Sequence, residues 1–174
     1  MEDFLTPFKE SYLIKIVIAI IIFFYSLFSN AQVNESSDLY KVLKYKDSIL
    51  FNNAFNKCKI EKVIPMISED FEFYHDIGGI QNKEEFITAI KVNICSKPEQ
   101  NKRQLVNNSL SVFPMKNNNQ LYGAVQKGKH TFLQKIDGEM KTVGIADFTH
   151  LWILENNHWK LKRVLSYNHK PFSE

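Results

Sequence analysis

The spacing of hydrophobic positions changes period along the chain. Between Asp38 and Asn56 they fall at Leu39, Val42, Leu43, Ile49, Leu50 and Ala54, which is helical spacing. Ser37 stands in front of this stretch as a good N-cap. Ile60, Val63, Ile64 and Ile67 make a second, shorter helical face, with Pro65 inside it to kink or shorten the helix. Phe71-Glu72-Phe73-Tyr74-His75-Asp76 then alternates with period two, and Gly78-Gly79 marks a turn. Asn82 with Glu85 reads as a capping box, opening a third helix with Phe86, Ala89, Ile90 and Ile94 on one side. After a loop over 96–101, strands are expected at about Arg103–Pro114, Leu121–Gln134, Thr142–Leu154 and Trp159–Tyr167. Turn residues at 116–119, Asp137-Gly138 and Asn156-Asn157 separate them. Helices first and antiparallel strands afterwards imply an α+β domain, with helices on one face of a curved sheet.

The N-terminus follows different rules. Ile16 to Phe28 is apolar except for Ser26, and Ser29-Asn30-Ala31-Gln32 supplies small residues around a cut after Ala31. This is the layout of a secretory signal peptide over 1–31. The run is short for a spanning helix, which needs about 20 apolar residues. The stretch before it carries Glu2, Asp3 and Glu10 against Lys9 and Lys15, so an uncleaved N-terminal anchor is the alternative. No Cys follows the run, so no lipid-modified N-terminus is expected. The rest divides into a polar linker at 32–37, a domain at 38–171 and a short tail at 172–174. Once the leader is removed, the domain is expected in the periplasm or secreted, with no membrane contact.

Charge adds little. The whole chain carries a formal +3, with its lysines scattered, as at Lys127/Lys129 and Lys160/Lys162. Scattered charge on strand faces argues against nucleic acid as a partner, which would select a cluster. Cys58 and Cys95 are the only cysteines. In an oxidising compartment they could bridge; the alternative is two buried thiols. There is no zinc-type Cys spacing, no HxH or HxxxH pair, no Gly-rich phosphate loop and no Ser-His-Asp order, so neither metal nor cofactor is expected.

Alternation applied to the strands collects the candidate site. Trp159, Leu161, Arg163, Leu165, Tyr167 and His169 share one face of the last strand under strict period two. A guanidinium among apolar groups is costly unless it is paired or faces a wet cavity. The apolar faces of the other strands add His75, then Gln126 and His130, then His150 and Trp152. His75, Gln126, His130, His150, Trp152, Arg163, Tyr167 and His169 are therefore the candidate pocket residues. A mostly apolar concavity with a few convergent polar groups is the usual form of a small-molecule site. Arg163 in it would favour an anion or a carbonyl. Asp76 and Asp147 are the available carboxylates; alternation points both away from the histidines, though Asp76 is near a turn and could swing in.

The element order, with Phe71–Asp76 and Gly78-Gly79, Phe148-Thr149-His150-Leu151-Trp152, Trp159-Lys160-Leu161 and Ser166–Pro171, resembles the nuclear transport factor 2-like superfamily. Within it the chain is similar to the SnoaL-like members grouped as domain of unknown function 4440. The resemblance spans about Asp38 to Pro171 and implies a cone-shaped sheet wrapped by helices, a central pocket and frequent dimers. The superfamily holds ketosteroid isomerases, polyketide cyclases, dehydratases and epoxide hydrolases, and also non-catalytic association domains, so it implies fold rather than activity. No residue here aligns with an isomerase-type catalytic Asp, and no catalytic role is carried over. Three readings follow: a small-molecule-binding module, a cofactor-independent enzyme working by proton transfer, and a dimerisation or assembly domain.

Overall fold

In the computed structural model, residues 12, 14–20 and 31–173 are described. Tyr12 and Ile14–Ile20 are helical; most of the expected leader, including Ser29-Asn30 at the expected cut, lies outside the described residues. Among the described residues, no helix is long and apolar enough to cross a membrane. Everything below concerns Gln32–Glu174, which forms its own compact unit.

Helix α1 spans Asp38–Phe51. Ser37 caps it by accepting from the Tyr40 amide, and Asp38 lies in its first turn, where an anion suits the helix dipole. Its buried stripe is Tyr40, Leu43, Asp47 and Leu50. The helix ends in a wide turn, Asn52–Asn56, with Lys57 N–H bonded to the Asn52 carbonyl. Pro65 has the expected effect: the second apolar face is split into two 3₁₀ turns, Ile60–Lys62 and Ile64–Met66. Helix α2, Lys83–Ala89, starts on the full Asn82–Glu85 capping box and also ends in a wide turn, Ile90–Ile94. Cys58 and Cys95, each just beyond a wide turn, are bridged, with Cα atoms 5.5 Å apart.

Seven strands form one mixed sheet: β1 Ile67–His75, β2 Gly79–Asn82, β3 Asn101–Leu105, β4 Ser111–Asn117, β5 Gln120–Ile136, β6 Glu139–Glu155 and β7 His158–Pro171. The order is β2-β1-β7-β6-β5-β3, with β4 also on β5. All pairs are antiparallel except β1 with β7, which run parallel. The expected strand over 103–114 is two strands, because Asn108 takes a left-handed turn (φ 58°) between them. Both still pair with β5, β3 near its C-terminal end and β4 along its first half. The Gly78-Gly79 turn leads into β2, a short strand absent from the hydrophobic pattern. The linker is not free at Val33, whose amide donates to the Val112 carbonyl on β4.

Helices and sheet meet in a core of Leu43, Leu50, Val63, Ile67, Phe71, Val112, Phe148, Trp152 and Leu161. Alternation holds on β5 and β6, where Ala124, Gln126 and His130, and Ala146, Phe148, His150 and Trp152, are buried. Gly128 shares that face because Phe148 lies across it; a Cβ there would stand 2.8 Å from the Phe148 ring. On β7 alternation breaks twice. Leu151 opposes Arg163 while Trp152 opposes Leu161, so Lys162 is an additional residue. Asp147 opposes Tyr167 while Ile145 opposes Lys170, and Asn168 sits there with φ 59°. Each bulge shifts the facing by one residue.

Candidate functional site

The bulges relocate the residues that sequence reasoning placed on β7. After Leu161, it is Val164 and Ser166 that are buried, while Leu165 and Tyr167 are exposed. Arg163 therefore lies on the outer face of the sheet, not in the pocket. Its Nε pairs with Glu72 at 2.7 Å, and its Nη1 donates to the Asp70 carbonyl at 2.6 Å. Tyr167 is likewise outside, its hydroxyl 3.5 Å from Thr149 Oγ1. The second bulge turns His169 back inward, where it stacks on His75 (ring centroids 4.3 Å apart) and on Phe132 (5.6 Å).

A cavity of about 270 Å³ opens between the sheet and the two wide turns. Phe51, Ala54 and Phe55 come from the first turn region, Ile90 and Ile94 from the second, and Phe73, Phe132 and Phe148 from the sheet. Of the expected residues, His75, His130 and His150 line it. Gln126 and Trp152 stand behind His150, fully buried.

Asp47 and Arg103 were not anticipated. Arg103, on β3, is 4 % exposed and lines the cavity; Asp47, on α1, is 2 % exposed. Arg103 Nε donates to His130 Nδ1 at 2.7 Å, and its Nη1 reaches Asp47 Oδ2 at 3.4 Å. Its guanidinium lies over the Phe51 ring, with Phe148 nearby. Asp47 was legible in principle, since it falls between Leu43 and Leu50 on the apolar stripe of a helix. Arg103 was not, because the short, polar β3 shows no alternation.

The hydrogen bonds fix the tautomers. His130 Nδ1 accepts from Arg103, so its proton lies on Nε2. Gln126 Nε2 donates to the Leu43 carbonyl, and its Oε1 accepts from Trp152 Nε1 at 2.8 Å. That Oε1 is also 3.1 Å from His150 Nδ1, so His150 carries its proton on Nδ1 and leaves Nε2 as a bare acceptor. Asp47 Oδ1 stands 3.7 Å from the same Nδ1. Burial, then the Arg103 charge, holds both imidazoles neutral, far below their ordinary range. Burial lowers Arg103 to about 10 against the pull of Asp47, so it stays charged at neutral pH. Burial likewise raises Asp47 against Arg103.

Four buried side-chain atoms of this cluster lack a hydrogen-bond partner: Arg103 Nη2, His130 Nε2, His150 Nε2 and Asp47 Oδ1. By the tautomers above, they are two donors and two acceptors. Buried polar atoms of this kind call for a partner, whether water, an ion or a ligand.

A second polar group sits on β1 and β7. His75, Asp76 and His169 bring potential metal-ligating atoms within 4.8 Å of one another, a cluster sequence spacing did not suggest. The Nδ1 atoms are already engaged. His75 Nδ1 accepts from the amides of Ile77 and Gly78 at 3.1 and 2.9 Å, and His169 Nδ1 bonds Asp76 Oδ1 at 2.5 Å. A metal bound through Nδ1 would have to displace these bonds.

Comparison with known proteins bears on the fold. No family model and no curated protein matches the chain. A nuclear transport factor 2-like superfamily protein from Salmonella enterica superposes with TM-score 0.59 at 10 % identity, covering 77 % of this chain and 91 % of that one. The association domain of C. elegans CaMKII gives TM-score 0.59 at 13 % identity, covering 78 % and 100 %. A hexachlorocyclohexane dehydrochlorinase, LinA-type3 from Novosphingobium barchaimii, gives 0.57 at 12 % identity, covering 79 % and 95 %. Gln32–Glu174 thus has the nuclear transport factor 2-like, or cystatin-like, α+β fold, which serves enzymes and association domains alike.

Proposed function

We propose that this is an exported small-molecule-binding domain whose cavity takes a compact, mostly apolar molecule bearing a carboxylate or carbonyl oxygen. That oxygen is held by Arg103 Nη2 and His130 Nε2–H, and a ligand hydroxyl or amine donates to His150 Nε2. One observation carries this reading: three buried residues that line an otherwise mostly aromatic and aliphatic cavity, Arg103, His130 and His150, each keep a polar atom without a protein partner. The Cys58–Cys95 bridge supports export, since disulfides persist in oxidising compartments. The SnoaL-like assignment within the fold belongs to the same proposal.

A second reading, proton transfer without a cofactor, draws on His150. Its neutral Nε2 offers a lone pair beside a mostly apolar cavity, with Asp47 and Gln126 behind Nδ1 to stabilise the imidazolium. A third, self-association, draws on Tyr122, Leu165 and Tyr167, which are exposed on the sheet. The binding proposal is tested by calorimetric titration of the full chain with benzoate and phenylacetate. Saturable binding is expected, weakened about 10-fold or more in His130→Leu, which removes one donor. Equal affinity in the variant would overturn the proposal.

A further inference from the structure

The bulge at Asn168 does more than return His169 to the inner face. Ser166 and His169 are three residues apart, so unbroken alternation would put them on opposite faces. With the bulge they meet: Ser166 Oγ lies 3.3 Å from His169 Nε2. Asn168 holds the left-handed conformation, and its side chain donates to Asp147 Oδ2 at 2.6 Å. Behind His169, Asp76 grips the residue twice, through Oδ1 to Nδ1 at 2.5 Å and through Oδ2 to the backbone amide at 3.1 Å. With Nδ1–H directed at a carboxylate, the Nε2 lone pair faces the serine hydroxyl. Ser166 is 5 % exposed and lines the cavity.

We propose that Ser166 is a nucleophile, His169 its general base and Asp76 the positioning residue of an acyl-transfer site that hydrolyses small esters. The three contacts have the roles, though not the chain order, of a serine–histidine–carboxylate triad. In the first step Ser166 Oγ bonds to the ester carbonyl carbon while its proton passes to His169 Nε2, and the carbonyl π pair moves onto oxygen. The tetrahedral adduct collapses, the C–O bond to the leaving alkoxide breaks, and His169 returns the proton to that oxygen. Water, deprotonated by the same Nε2, then attacks the acyl–serine ester. The carboxylic acid leaves and Ser166 regains its proton. No oxidant, reductant or co-reactant besides water is consumed.

The surroundings suit this chemistry. His75 is the direct β1 neighbour of Ser166, and Phe148 its neighbour on β6. Because His75 Nδ1 accepts from two backbone amides, its Nε2 carries the proton and can donate to the developing oxyanion. Phe148 and the apolar cavity beyond it receive the acyl group. The proposal rests on the binding reading only for where that group sits. Covalent capture of Ser166 needs no ligand at Arg103, so the two can fail separately.

The test is to treat the full chain with a small alkyl fluorophosphonate at pH 7.5 in the presence of EDTA, then locate the adduct by peptide mass spectrometry. Hydrolysis of 4-nitrophenyl acetate and butyrate is followed in parallel. The adduct is expected on Ser166, with ester hydrolysis abolished by Ser166→Ala. His169→Gln should slow both reactions about 100-fold or more. Asp76→Asn should slow them and change the pH profile, an effect a purely structural role would not produce. Each variant's melting temperature is compared with the parent's to confirm folding. No adduct on Ser166 in the folded parent would overturn the proposal, as would equal labelling in a folded His169→Gln. Loss of labelling in EDTA with recovery on adding zinc would also overturn it, because it would make the His75–Asp76–His169 cluster a metal site. If benzoate binds while Ser166 stays unlabelled, the pocket stands and the nucleophile falls.

Discussion

Replacing Arg103 with Leu removes the cation paired with Asp47. Both side chains are almost fully buried, so the remaining carboxylate has neither water nor a full cation. Breaking a buried pair from one side costs about 3–5 kcal/mol, a large fraction of the 5–15 kcal/mol typical of a domain. The double variant Arg103→Leu/Asp47→Leu removes both charges and should recover most of that loss. It still leaves His130 Nδ1 without its donor, at about 1–3 kcal/mol. The single variant also gains a pH signature. Burial already raises Asp47 in the parent, and removing Arg103 raises it further. The folded state then takes up a proton at a pH where the unfolded state has none. Relative to the parent, the variant's stability therefore gains as pH falls through the folded value of Asp47, by at most about 1.4 kcal/mol per pH unit. Urea unfolding followed by Trp152 and Trp159 fluorescence, at pH 7.5 and at pH 5.5, measures all three quantities. A single variant within about 1 kcal/mol of the parent, or a double variant no more stable than the single, would refute the buried-pair argument.

Further outcomes follow from the same geometry. His130 and His150 are neutral when folded and protonate when unfolded, so each costs stability as pH falls below about 6.5, by up to about 1.4 kcal/mol per unit. A folded His150→Phe should unfold with a shallower acid dependence than the parent, and equal slopes would count against a buried neutral His150. Arg163→Ala should leave ligand affinity unchanged and cost no more than about 1 kcal/mol, as for a half-exposed pair; calorimetry and urea unfolding check both. Cys58→Ala/Cys95→Ala should lower stability by about 2–4 kcal/mol, since the bridge closes a 37-residue separation, and reductant should mimic it in the parent. Gly128→Val should force the Phe148 ring aside, costing about 1–3 kcal/mol and weakening benzoate binding; an unperturbed variant would contradict the close approach.

The fold was legible because most of it is written in local periodicity. The α1 helix with Leu43 and Leu50 inward, the Asn82 capping box and the alternation of β5 and β6 appear where the sequence puts them, although Val42, read as part of the α1 stripe, is exposed and Tyr40 is buried instead. The elements that escaped carry little or no period. β2 is four residues after a turn, and β3 is a polar strand held by its pairing with β5. The site was half legible for the same reason. His130 and His150 lie on strands whose alternation survives, so reading every second residue finds them. Arg163 and Tyr167 were misplaced because Lys162 adds a residue that no local signal announces. His169 reached the inner face only because a second bulge, at Asn168, reverses the first. Ser166 was missed through the first bulge alone, and it is there that the proposed nucleophile lies.

The most direct test of the binding account is a crystal structure of the full chain soaked with benzoate. The account predicts a carboxylate oxygen at about 3 Å from both Arg103 Nη2 and His130 Nε2, with the ring against Phe51 and Phe148. Benzoate bound only at Arg163 on the outer face, or a cavity closed by its own side chains, would contradict it.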